Sequence, residues 1–126
     1  MKYLGSAYYD EKKFDTLSKT ELQAIVSECP PHDEALRESG HLLAVASLQH
    51  RTATTLRPSN GKTTLIDGPF AETKEQIGAF FIIEAKDRNE AIRVASKHPA
   101  APLGERVGWA VEVRPIAMFE QPRERY

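Results

Sequence analysis

The run Ile77-Gly-Ala-Phe-Phe-Ile-Ile-Glu-Ala85 constrains this chain more than any other stretch. It is the most apolar segment, far too short to cross a bilayer, and rich in the aromatic and β-branched residues that suit a pleated surface. It therefore reads as a central strand, and a central strand needs neighbours. The sequence offers three. Residues 2–9, KYLGSAYY, alternate imperfectly around Gly5, and residues 41–48, HLLAVASL, form a continuous apolar run compatible with a strand buried on both faces. Residues 108–116, GWAVEVRPI, place Trp109, Val111 and Val113 on one face and Ala110, Glu112 and Arg114 on the other.

Two helices are signalled between these strands. Ser18-Lys-Thr-Glu21 is a capping box, followed by Leu22, Ile25, Val26 and Cys29 at helical spacing. A helix is expected from about residue 19. Pro30-Pro31 should kink it, or stop and restart it, because each proline removes a donor and crowds a carbonyl of the preceding turn. HDEALRES resumes the helical pattern with Ala35 and Leu36 on the apolar side, and Gly40 supplies a stop. Asp87-Arg-Asn-Glu90 opens a second helix that ends near His98-Pro99. Asn60-Gly61 supplies the positive φ angles of a tight hairpin, pairing residues 52–58 with 62–67.

The resulting order is β, α, β, inserted hairpin, β, α, β. It implies an α+β domain of ferredoxin-like type, with a mainly antiparallel sheet and two main helices on one face. The other face needs a cover, and a second copy packed sheet to sheet would provide it. A single domain over residues 1–116 with a polar tail at 117–126 accounts for the whole chain. Seventeen basic residues against eighteen acidic ones give a net charge of −1, so no general field attracts nucleic acid or anionic lipid. The one cysteine excludes an internal disulfide framework and fits a reducing compartment. With no signal-peptide pattern in the first residues and no membrane-spanning run, a cytoplasmic location is expected.

The corner Asp67-Gly68-Pro69-Phe70 is sound turn chemistry by itself. With Glu72, Lys74 and Glu75 it also suits the mouth of a cleft beside the sheet. The longer run DGPFAETKEQIGAFFIIEA, with RTATTLR and NGK upstream and NEAIRVASKHPAA and VEVRPI downstream, resembles the YCII-related family in its DGPF-domain branch. That resemblance implies a ferredoxin-like, dimeric α+β barrel type of fold with paired sheets. Most such proteins have no assigned reaction. Some act on small cyclic acids or phenols through a His on the first helix and an Asp near the end of the second. Those two positions fall on Cys29 and His98 here. Genes of this branch often sit near alternative sigma factors, which implies a possible link to transcription regulation.

Cys29 has two readings. At the N-terminal edge of a helix restarted by the proline pair, free N–H groups and a nearby imidazole would favour its thiolate. On the same apolar face as Leu22 and Ile25 it would be a small buried hydrophobe. His98 is either its partner or a helix C-terminal cation. His32 beside Asp33 makes no dyad, because adjacent helical residues diverge, and His41 and His50 flank the second strand as surface residues. No HExxH or CxxC spacing points to a metal, and no cofactor is expected. NGKTT lacks the leading glycine and following helix of a phosphate loop, and no GxSxG or dinucleotide fingerprint occurs. Glu112 and Arg114 suit a sheet-face ion pair, with Arg114 also suited to a carboxylate ligand.

Three functions remain open from the residues. The leading one is binding of a small polar or aromatic organic molecule between the sheet and the first long helix, with Tyr8, Cys29, Asp67, Glu72, Lys74, His98 and Arg114 as polar points. The second is a lyase-like or hydrolytic enzyme using Cys29 and His98 with Asp67 binding substrate. The third is a protein-interaction module attached to transcription regulation.

Overall fold

In the computed structural model, described for residues 1–69 and 75–122, ten elements follow one another. They are β1 (Lys2–Asp10), α1 (Glu11–Asp15), α2 (Lys19–Glu38), β2 (Leu42–Ser47), β3 (Thr54–Ser59), β4 (Lys62–Asp67), β5 (Glu75–Glu84), α3 (Arg88–Ala95), α4 (Gly104–Val107) and β6 (Trp109–Pro115). Phe70, Glu72 and Lys74 lie outside the described residues.

The main sheet has the order β2-β5-β1-β6, and every neighbouring pair is antiparallel. Leaving out the hairpin β3-β4, this is the ferredoxin-like arrangement, with β5 and β1 central as the apolar run 77–85 requires. The register puts Tyr3, Ala7, Phe81, Ile83, Val111 and Val113 on one face. The core forms there, from Tyr3, Phe81 and Ile83 with Leu36 of α2 and Ala91, Val94 and Ala95 of α3. Gly5 breaks the alternation for a packing reason: a Cβ there would stand 2.1 Å from the Phe81 ring. Only hydrogen leaves room for the ring to lie across β1.

The caps form as the sequence implies. Ser18 Oγ accepts from Glu21 N and Glu21 Oε1 accepts from Ser18 N, while Asp87 caps α3 through Glu90 N. Gly40 turns the chain out of α2 at φ +79, and Asn60 and Gly61, at φ +50 and +76, close the hairpin.

Three expectations are corrected. Of the two outcomes expected of the proline pair, a kink or a stop and restart, the second is overturned: α2 runs unbroken from Lys19 to Glu38 with Pro30 and Pro31 inside it. The carbonyls that lose partners belong to Val26 and Ser27, which are exposed, so water can satisfy them. Val26 and Ala35 consequently face solvent and not the core. β2 is an edge strand, not one buried on both faces; it pairs only with β5, and Leu43 and Val45 are 51% and 48% exposed. The short helices α1 and α4 were not signalled by any apolar period. α4 is positioned by Gly104, where a Cβ would meet the Trp109 carbonyl oxygen at 2.2 Å.

The sheet face away from the helices carries Leu4, Phe80 and Ile82, all half-buried. The hairpin projects with Leu56 and Leu65 directly paired and 67% and 68% exposed. No helix among the described residues is long and apolar enough to cross a membrane.

Candidate functional site

A hollow of about 270 Å³ opens between the helix side of the sheet and α2. Its walls come from distant parts of the chain: Tyr8 and Tyr9 of β1, Cys29 and Asp33 of α2, Leu48 after β2, Gly78 and Ala79 of β5, His98 to Ala100 after α3, and Trp109. A β-bulge shapes its floor. Ala7 pairs with Ala79 and Tyr8 with Ile77, leaving Gly78 as the extra residue. The Tyr9 ring lies over Gly78, where a Cβ would approach Tyr9 Cδ1 to 3.0 Å.

His98 is placed by the turn that follows α3, through its backbone N–H to Ala95 O. Its imidazole is 8% exposed and stacks on Phe81, with centroids 5.0 Å apart and planes inclined by 14°. The Ala100 N–H donates to Nδ1 at 3.1 Å, so the neutral ring carries its proton on Nε2. Nε2 has no protein partner among the described residues, yet it is not sealed from solvent, because no buried side-chain nitrogen or oxygen lacks a partner. Burial pulls the His98 pKa below the ordinary histidine value, and the Asp33 charge opposes that shift. His98 is thus a neutral hydrogen-bond donor aimed away from its anchoring backbone.

Cys29 and His98 do share the hollow, as the sequence pairing required, but the thiol is not activated in the expected way. Cys29 lies in the interior of an unbroken helix and not at a restarted N-terminus, so the free N–H groups invoked for it are absent. Its Sγ–H donates back to Ile25 O at 3.4 Å. Burial first, then the Asp33 and Glu28 charges, push the thiol pKa up.

Tyr8 borders the hollow as well. Asp67 does not: it ends β4 in the separate two-stranded sheet, opposite Thr54. That corner is held by its backbone, with Gly68 N–H donating to Ala53 O and Thr55 Oγ1 to Gly68 O, each at 2.7 Å. Arg114 sits on the opposite sheet face and donates to Glu112 Oε1 at 2.8 Å, the ion pair its spacing implied. Glu72 and Lys74 lie outside the described residues.

Several lining residues escaped the sequence reading. Asp33 was judged only against His32, whereas the informative spacing is four residues back to Cys29, which puts both side chains on one helix face. His50 is exposed, as expected, and there it stacks on Phe14 at 4.7 Å and meets the edge of Tyr9 at 4.7 Å, beside the hollow. Phe14 belongs to α1, an element too short to leave a periodic trace. Among the described residues, no group of three or more His, Cys, Asp or Glu is placed to hold a metal.

Comparison with known proteins adds three findings. The model of the YCII-related domain matches residues 1–119. Uncharacterized protein R00369 of Rhizobium meliloti (strain 1021) is 36% identical over 121 residues, covering 95% of this chain and 95% of that one. The 5-chloro-2-hydroxyhydroquinone dehydrochlorinase TftG from Burkholderia phenoliruptrix AC1100, solved in complex with 2,5-dihydroxybenzoquinone, aligns with a TM-score of 0.46 and 17% identity over 92% of this chain and 93% of that one. A likeness that distant carries nothing about activity.

Proposed function

We propose that this chain, which belongs to the YCII-related family, binds a compact polar or aromatic organic molecule in the hollow between the sheet and α2. The observation that carries this reading is the convergence of chemically distinct groups from six separated segments on one cavity, with the donor Nε2 of His98 left without a partner among the described residues. At about 270 Å³ the hollow lies just below the usual range for ligand pockets, roughly 300–1,000 Å³, which limits the occupant to about one ring. If the bound molecule reacts, His98 is the group positioned to steady a developing negative charge, through a hydrogen bond donated from Nε2–H. Cys29 contributes a neutral thiol, and Asp67 no part of the site.

The same reading includes a cytoplasmic homodimer joined through the sheet faces that the helices leave uncovered. Half-buried Leu4, Phe80 and Ile82, together with the exposed leucines of the hairpin, supply apolar surface for it.

The test is a thermal-shift screen of single-ring phenols, alcohols, acids and amines, followed by titration of any hit against His98→Phe. A ligand present at one hundred times its Kd adds about 2.7 kcal/mol of stability. A hit whose affinity is unchanged in the variant would place binding elsewhere and end this reading.

A further inference from the structure

We propose that the occupant of the hollow is a protonated amine carried on a single aromatic ring, with Asp33 as its counter-charge. This rests on the reading of the hollow as a binding site and specifies its chemistry.

Charge is the first argument. Among the described residues that line the hollow, Asp33 is the sole side chain with a fixed charge; no Lys or Arg borders it. Cations near by are already engaged. Arg51 pairs with Glu11 and Asp15 at the edge of the sheet, and Arg106 lies 2.7 Å from Glu28 on the same helix as Asp33. Asp33 differs from Glu28 here: it is half-buried and makes no salt bridge or hydrogen bond among the described residues. A carboxylate taken partly out of water and left unpaired is costly, and a ligand ammonium is the partner that relieves it. Its charge acts on both Cys29 and His98, behind burial in each case, and favours the protonated form of each. An anionic ligand would meet that charge with nothing to offset it.

The walls supply the second argument. Tyr9, Phe14 and Trp109 border the hollow, and the stacked pair Phe14–His50 and the edge contact Tyr9–His50 fix the aromatic planes at one end. Such faces hold a ligand ring by offset or edge contact and are electrostatically favourable to a cation near them. A neutral His98 adds a donor and no competing positive charge.

Trp109 is the only tryptophan and sits in the wall, so its fluorescence reports local occupancy. The experiment titrates the full-length protein with benzylamine, benzyl alcohol and benzoate at pH 7.5, a value we choose, and repeats each with Asp33→Asn after checking that its melting temperature holds. Benzylamine should bind most tightly and lose about tenfold or more in affinity in Asp33→Asn, as expected for loss of a charged hydrogen bond. Benzyl alcohol should be little changed. Equal affinity for all three compounds, or preference for benzoate, would overturn the amine assignment and leave the binding site standing. No fluorescence response to any of them, with none in the wider thermal-shift screen, would remove the site and this assignment together. Should Asp33→Asn fold poorly, Asp33→Ser serves instead; unchanged benzylamine binding there would also count against Asp33.

Discussion

The imidazole of His98 lies flat on the phenyl ring of Phe81, 5.0 Å between centroids and 14° from parallel, while the Cζ end of that phenyl ring lies against Gly5. A backbone position, a core ring and a site residue thus form one stack from the sheet to the hollow. Packing at the bottom sets the geometry at the top.

Gly5→Ala tests this stack directly. The new Cβ would stand 2.1 Å from Phe81 Cζ, so the ring must shift, and the His98 imidazole stacked on it must respond. Overpacking of this kind costs about 1–3 kcal/mol. We expect that loss in urea unfolding, together with a changed imidazole chemical shift for His98. A variant as stable as the parent, with His98 unmoved, would show that the ring can evade the methyl group.

The pH dependence of stability follows from the same histidine. Burial holds its folded pKa below the unfolded value of 6.5, so the unfolded chain binds the extra proton first as pH falls. Stability is therefore full above about pH 6.5 and declines below it until the folded pKa is passed. The slope contributed by one proton is at most about 1.4 kcal/mol per pH unit. Unfolding free energies measured across this window should flatten in His98→Gln. An unchanged slope would assign the effect to other groups.

Cys29 should alkylate slowly. Its thiol is held protonated by burial and by Asp33, so iodoacetamide labelling of the folded protein should reach half its maximal rate above the free-thiol pKa of about 8.5. Asp33→Asn removes a negative neighbour and should move that midpoint down. A midpoint well below the free value in the parent would restore the activated thiol.

For the proposed dimer, Ile82→Arg puts a charge at the centre of the helix-free sheet face without touching the core. Sedimentation should show the parent as a dimer and the variant as a monomer of unchanged circular dichroism. A monomeric parent at high micromolar concentration would dispose of sheet-to-sheet pairing.

Much of the fold was legible because its signals are local. Ser18 with Glu21, Asp87 with Glu90, and Asn60-Gly61 each declare a cap or turn within four residues, and the strand between Ile77 and Ala85 declares its centrality by composition. The misreadings were of properties that local patterns do not contain. Pro30 and Pro31 are carried inside α2 where the carbonyls they free, on Val26 and Ser27, belong to exposed residues that water can reach. The apolar run 42–47 looks buried in the sequence, yet whether another strand lies beyond it is a fact of topology. Cys29 and His98 were singled out by the family resemblance and both line the hollow, while Asp33 was passed over because the residue it shares a helix face with is one turn away and not its neighbour in sequence. Asp67 was drawn in by its proximity along the chain to an apolar strand, although the hairpin carries it onto a different sheet.

The Ala100 N–H that occupies Nδ1 of His98 has one more consequence. The neutral ring can gain a proton only at that nitrogen, so it cannot become a cation until the Ala100 N–H lets go. The turn after α3 is thus a latch on the charge of the cavity wall: while it stays shut, the nitrogen facing the hollow donates and never accepts.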